Sequence, residues 1–238
     1  MMTGVDLMDI KGLQKLTLLD YPGKVACTVF TGGCNFRCPF CQNSDLVISP
    51  RLNPTIDESE VFSLLEKRRG MIDGVCVSGG EPLLQSDLVE FIGKVRQMGF
   101  LVKLDTNGFL FEKLRPIVEN KLVDYIAMDI KAAPENYGKL VGIRDFDVSP
   151  ILASVELIKN SGIEHEFRTT VVGDMHTKRD FELIGEWLAN ESHYFLQKFV
   201  DSGALIEDGH SPADDETMRE YLRIVQKNIP EARLRGVD

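Results

Sequence analysis

Three cysteines, Cys34, Cys38 and Cys41, stand within eight residues of one another in the stretch TGGCNFRCPFCQNSD, Thr31 to Asp45. Thiolates this close together bind metal or do redox chemistry, and three chemistries compete. A structural zinc ion wants four closed ligands, most often two cysteine pairs or a cysteine pair with a spaced histidine pair. The four histidines, at 165, 176, 193 and 210, show no such pairing and lie far along the chain. A dithiol redox motif needs only Cys38 and Cys41 and leaves Cys34 without a part. An iron–sulfur cluster employs all three, because one short loop has to bend around several corners of a cubane. Gly32 and Gly33 give that freedom just before Cys34. Three ligands leave one iron without a protein donor, and an open coordination position is the mark of a reactive metal. Cys27 and Cys76 sit inside apolar runs, where a thiol is usually a small core residue.

The elements around this loop alternate. Apolar runs at 24–30, 73–82, 100–108, 123–131, 164–172 and 193–200 read as buried strands. Amphipathic segments at 56–70, 86–99, 110–120, 149–162, 177–190 and 213–228 read as helices. The second is expected to use Ser86 as its N-cap and Gly99 as its stop; the third tolerates Pro116; the fourth carries Pro150 in its first turn. Strict strand–helix alternation argues for a parallel sheet with outer helices and right-handed crossovers. The pattern alone fits an open doubly wound sheet or an incomplete barrel equally. In either, ligands bind at the carboxyl ends of the strands. There the cysteines follow the first strand, Gly79, Gly80 and Glu81 the second, Asp105, Thr106 and Asn107 the third, and Asp129 and Lys131 the fourth.

Composition sets wider limits. The chain has 238 residues, 43% hydrophobic and 27% charged, enough apolar mass for a sizeable core. It reads as one domain, residues 1–238, with a core at about 22–200 and a C-terminal helix over 214–228 packed on it. Against 37 acidic side chains there are 27 basic ones, a net charge of −10 that disfavours nucleic-acid binding. No apolar run is long enough to span a bilayer and the N-terminus is too polar for a signal peptide, so a reducing cytoplasm is expected, where clustered cysteines hold metal rather than disulfides.

CxxxCxxC after a first strand, with Phe40 before the third cysteine, and GGEP at Gly79–Pro82 resemble the signatures of the radical S-adenosylmethionine superfamily. LDTNG (104–108), MDIKAAPENYGKLVG (128–142) and the segment Leu13–Leu46 are similar to the glycyl-radical-enzyme activases, most of all those of the anaerobic ribonucleoside-triphosphate reductases. The resemblance implies a partial (β/α)6 TIM-like barrel and a [4Fe–4S] cluster on Cys34, Cys38 and Cys41. Its open iron would be chelated by S-adenosylmethionine. It further implies a glycyl radical enzyme as partner and an electron donor such as flavodoxin or ferredoxin, with no nucleic acid and no membrane involved. Two other readings remain: a radical enzyme acting on a small molecule, such as a 7-carboxy-7-deazaguanine synthase, or a non-catalytic cluster-binding sensor.

Residue roles follow from the resemblance. Phe40 would pack near the adenine or simply anchor the loop. Gly79 and Gly80 would let the backbone approach the cofactor, and Glu81 would accept from its ammonium. Asp105, Thr106 and Asp129 match positions that hold a monovalent cation beside the cofactor carboxylate, with Asn107 next to them; hard oxygen ligands suit such an ion. Lys131 would meet the cofactor carboxylate or ribose, or form a plain ion pair with Asp129. Arg168, too costly to bury unpaired, would face the cofactor or a structural salt bridge. Gln197 stands where some activases carry a cofactor-touching histidine.

Overall fold

The computed structural model describes residues 8–237. The chain runs through β1 (Ile10–Thr17), β2 (Ala26–Thr31), α1 (Ser44–Ile48), α2 (Glu58–Lys67), β3 (Gly74–Gly79), α3 (Leu88–Gln97), β4 (Leu101–Thr106), α4 (Phe111–Glu119), β5 (Tyr125–Asp129), α5 (Tyr137–Val141), α6 (Ser149–Lys159), β6 (Glu164–Val171), α7 (Lys178–Trp187), β7 (Tyr194–Lys198), α8 (Asp215–Val225) and β8 (Arg233–Arg235). All the strands lie in one sheet in the order of the sequence. From β2 to β8 every neighbour pair is parallel; only β1 runs antiparallel, against β2. β1 and β8 do not pair with each other, so the ring stays open. This is the expected arc of six strand–helix units, β2 to α8, extended by one strand at each edge.

Neither added strand has a strong signature. β1 is mostly polar and half exposed, and β8 is only the three residues Arg-Leu-Arg, so neither shows an apolar run. One cap also differs. α3 begins at Leu88 behind Asp87, so Ser86 is not its cap, and the Asp87 side chain makes no capping bond either. Elsewhere side chains supply the starts: Asp57 accepts from the Ser59 amide, Thr177 and Asp180 form a reciprocal capping box, and Asp214 accepts from the Thr217 amide.

The two faces of the sheet carry different chemistry because successive side chains alternate across a strand. The outer face presents Val29, Val77, Leu104, Met128, Phe167 and Leu196 to the helices, all fully buried in the main core. Each such side chain contributes roughly 1.5–3 kcal/mol by leaving water. α8 packs on α7 through the stacked rings of Tyr221 and Phe181, 4.4 Å apart. The inner face is polar near the carboxyl ends of the strands and closes at the other end with a small apolar plug. Tyr21, from the β1–β2 connection, packs there with Ala26, Tyr125, Ala127 and Leu101. Among the described residues no helix is long and apolar enough to cross a membrane.

Candidate active site

A pocket of about 320 Å³ opens at the carboxyl ends of the strands. Its wall includes Cys34, Phe40, Gly79, Asp105, Asp129 and Lys131, contributed by four different strand–loop junctions. Cys38, Cys41, Gly80, Thr106, Asn107, Arg168 and Gln197 also line it. Of the candidate cofactor and cluster residues, Glu81 is absent from its lining.

Glu81 is turned into the protein interior. Its carboxylate is fully buried and accepts from the Leu83 amide at 3.1 Å, the Thr106 hydroxyl at 2.8 Å and the Asn107 amide at 2.7 Å. Those bonds tie the end of β3 to the end of β4. Burial pushes its carboxyl up to about 7, against the pull of the Asn107 and Leu83 amides. The glycines before it also serve the protein itself. A Cβ on Gly80 would run into the Gly33 carbonyl, and one on Gly79, where φ is +114°, would run into the backbone of Thr31. The Glu81 amide donates to the Gly33 carbonyl at 2.8 Å, and the Gly80 amide to that of Thr31 at 2.9 Å. The GGE turn is therefore the clasp that seats the start of the cysteine loop.

In that loop, the Cys38 thiol is nearly buried while Cys34 and Cys41 are partly exposed. Burial raises the Cys34 thiol to about 11 and the Cys38 thiol to about 12. The Cys34 sulfur lies 3.4 Å from the Phe36 amide and 3.9 Å from Nδ2 of Asn107, donors that suit a thiolate. Asn107 also donates to Asn35 at 2.9 Å, which fastens the loop to the end of β4. Phe40 is buried with its ring edge-on to His176, at 6.5 Å between centroids, so it anchors the loop and lines the pocket at once. Among the described residues no three His, Cys, Asp or Glu side chains converge on the place of a single metal ion, the cysteines included. A cubane asks something different, thiolates spread around its separate corners, and the loop presents all three to the same pocket.

Opposite the cysteines lies a chain of charge. Arg168 donates Nε to Asp129 at 2.5 Å and Nη2 to Asp105 at 3.0 Å. Lys131 donates to the other oxygen of Asp129 at 2.8 Å, and Lys103 to Asp105. Ser78 adds a bond to Asp105 at 3.0 Å. Burial alone would raise both aspartates, but Arg168, with Lys103 at Asp105 and Lys131 at Asp129, outweighs it and holds both carboxyls below the usual range. Burial likewise works against the charge on Lys131, and Asp129 overcomes it, keeping the amine protonated. Lys131 is held by its backbone as well: its amide donates to the Tyr137 hydroxyl at 3.2 Å and its carbonyl meets Nε2 of His176 at 2.9 Å.

These pairings bear on the expected cation position. The Thr106 hydroxyl is committed to Glu81 and to the Gly108 amide, and the inner oxygens of Asp105 and Asp129 are held by Arg168. Sequence reasoning overlooked Lys103, Ser78 and Cys76, which face inward around Asp105. The signal was present: Lys103 and Asp105 are two apart on one strand and so share a face, and only the inner face tolerates charge. Treating Cys76 as an ordinary core thiol missed that it lies 3.7 Å from Asp105 and 3.8 Å from Lys103. The cysteine loop also meets the segment after β7, where Gln42 donates to the Val200 carbonyl at 2.5 Å, Ser44 to that of Ala204 at 2.8 Å, and the Glu207 amide to that of Pro39 at 2.9 Å.

The model of the Radical SAM superfamily matches residues 28–188, more than half of the chain, and so spans the cysteine loop, the GGE clasp and the charge chain. The chain belongs to the radical SAM superfamily. A Methanocaldococcus jannaschii protein, MJ1227, named as a glycyl-radical enzyme activating enzyme, is 30% identical over 236 residues, 96% of each chain. The pyruvate formate-lyase-activating enzyme of Listeria monocytogenes is 34% identical over 146 residues, 55% of this chain and 56% of its own. Among solved structures, SuiB of Streptococcus suis bound to its precursor peptide SuiA superposes with a TM-score of 0.67 at 12% identity, covering 86% of this chain and 47% of that one. SuiB bound to S-adenosylmethionine gives 0.64 at 12% identity, covering 85% and 48%. This chain spans about half the length of SuiB, and at that identity the likeness is one of fold. Superfamily membership implies a [4Fe–4S] cluster and S-adenosylmethionine as cofactors, and the expected partial barrel agrees with the open parallel sheet seen here.

Proposed function

We propose that this radical SAM protein cleaves S-adenosylmethionine at a cluster held by Cys34, Cys38 and Cys41 and removes a hydrogen atom from a glycine of a partner enzyme. When bound, the cluster would supply the one electron needed to split the sulfonium C–S bond into methionine and a 5′-deoxyadenosyl radical. The protein's own part is to hold, orient and shield. The Asp129–Lys131 pair presents an ammonium for the cofactor's carboxylate or ribose; Asn107 and the Phe36 amide hold the Cys34 thiolate; Phe40 closes the apolar side. Arg168, Lys103 and Lys131 already supply positive charge beside Asp105 and Asp129. A monovalent cation at Asp105, Thr106 and Asp129 would therefore have to displace Arg168, and the geometry favours the guanidinium in that role.

The observation that carries this reading is the one pocket that collects all three thiols and the Asp129–Lys131 pair. Its volume is near the lower end of ligand pockets, which run from about 300 Å³. The pocket would have to take both the cluster and S-adenosylmethionine, so we favour a hydrogen donor that comes from outside, as a loop of another protein would. A glycine makes a suitable donor, because its Cα radical is delocalised by the flanking amides and no side chain obstructs approach.

The relatives named for glycyl-radical enzyme activation support the target class. Within it we favour an anaerobic ribonucleoside-triphosphate reductase, with a flavodoxin or ferredoxin as donor and the cytoplasm as the setting. Anaerobically reconstituted protein, mixed with that reductase, S-adenosylmethionine and dithionite, is expected to give 5′-deoxyadenosine and a glycyl doublet in electron paramagnetic resonance. Cleavage without the doublet would leave the radical chemistry and remove this partner; no cleavage from protein with full iron content would remove the function.

A further inference from the structure

We infer that Arg235, three residues from the end of the chain, is a positioning residue for the cofactor pocket, acting through Glu166 on Arg168. The inference rests on the cofactor reading of that pocket. Arg235 belongs to β8, opposite Gln197 of β7 in register, and so reaches the inner face from the open edge of the barrel. Its guanidinium donates to both oxygens of Glu166, Nη1 to Oε1 at 3.0 Å and Nη2 to Oε2 at 2.7 Å. Its guanidinium carbon also sits over Phe195, 3.6 Å from the ring centroid, which helps hold the fork in place.

Glu166 is almost fully buried, and its remaining neighbours are the Tyr125 hydroxyl at 3.2 Å and Nη1 of Arg168 at 3.8 Å. Arg168 is thus within reach of three carboxylates: Asp105 and Asp129 on the pocket wall and Glu166 below them. A guanidinium cannot serve all three at full strength. Because Arg235 takes both oxygens of Glu166, Arg168 is left to bridge Asp105 and Asp129. Without Arg235, Glu166 would keep only the Tyr125 hydroxyl and would draw Arg168 downward, since an uncompensated buried charge is costly, whereas Asp129 would still hold Lys131. Asp129 would then lose its shortest bond, and the Lys131 ammonium that it orients would shift.

The test is S-adenosylmethionine binding to anaerobically reconstituted protein, with iron content and thermal midpoint measured alongside. Arg235→Met is expected to weaken binding about tenfold or more while iron content stays at the wild-type level, since no cysteine is touched. Adding Glu166→Gln removes the competing charge and is expected to restore affinity to within about threefold, the signature of coupling between contacting residues. Stability would recover in the double variant as well, because the unpaired buried charge is gone, so the deciding readout is the affinity of folded protein with wild-type iron content. Unchanged affinity in Arg235→Met, or a double variant as weak as the single one, overturns the inference. Should Arg235→Met fail to fold, Glu166→Gln alone decides: affinity within about threefold of wild type supports the inference and a tenfold loss overturns it. Wild-type protein of full iron content that binds no S-adenosylmethionine would instead remove the cofactor reading itself, and this inference with it.

Discussion

The carbonyl oxygen of Gly33 occupies the place where a side chain on residue 80 would begin. β3 and the cysteine loop are thus in backbone contact, and the Gly80 and Glu81 amides seal that contact with hydrogen bonds. Gly80→Ala is expected to force the two segments apart, at a cost in the severe range of about 4 kcal/mol or more. Thermal unfolding and iron content after anaerobic reconstitution check this, and a variant with wild-type values of both would contradict the clasp.

Glu81 gives the protein a pH signature. Its carboxyl is raised from 4.5 to about 7, first by burial, and only partly offset by the bonds it accepts. Between those values the folded chain keeps a proton that the unfolded chain has released. Stability contributed here is therefore present at low pH, falls as pH rises from about 4.5 to about 7, and is flat above, a loss on the order of 3 kcal/mol. Denaturant unfolding across that window, compared with Glu81→Gln, should show the slope in the wild type and not in the variant.

The thiols of Cys34 and Cys38, raised to about 11 and about 12 by burial, are neutral at ordinary pH when no metal is bound. In metal-stripped protein at pH 8, Cys34 is expected to alkylate about a hundredfold more slowly than an ordinary thiol, and Cys38 more slowly still. Reconstitution should release protons and remove the remaining reactivity. Site-resolved mass spectrometry of alkylated protein measures both. Cys38→Ala should lose cluster binding.

Removing Arg168 leaves Asp105 and Asp129 facing each other with only Lys103 and Lys131 to compensate. Arg168→Met is expected to cost about 3–5 kcal/mol and to abolish measurable S-adenosylmethionine binding. Arg168→Lys keeps the charge but loses the fork that reaches two carboxylates, so it should recover stability better than affinity. Calorimetric titration beside thermal unfolding separates the two effects.

Gln42 and Ser44 hold the segment after β7 against the cysteine loop through the Val200 and Ala204 carbonyls. Gln42→Ala should raise local opening of residues 199–207 about fivefold, the value of one hydrogen bond of about 1 kcal/mol. Hydrogen–deuterium exchange confined to that segment would register it, while exchange in β4 and β5 stays unchanged.

Much of this architecture is readable before any folding is considered. Segments such as KVACTVF and FLVKLD announce buried strands by their apolar content, and the helices between them announce themselves by period and by Gly stops. The cysteine loop, DTN and MDIK could be placed at one edge because parallel strands put all their carboxyl ends together. The partners of the Glu81 carboxylate were not legible, for a physical reason. A carboxylate beside two glycines looks the same in a sequence whether it faces a ligand or the Thr106 hydroxyl and the Asn107 amide. β8 was missed because one leucine between two arginines makes no hydrophobic pattern, although the strand brings Arg235 to Glu166.

The sequence by itself determined the order of layers, the edge at which chemistry happens and the three thiols that define its family. Those follow from periodicity and short-range spacing, which the chain carries locally. Only the tertiary structure decided how the charges are shared. Asp105, Asp129, Arg168, Glu166 and Arg235 come from strands that are well separated along the chain and meet only when the sheet curves around them. Buried ions take partners by distance and geometry within a low-dielectric interior, and neither quantity exists until the strands have been stacked.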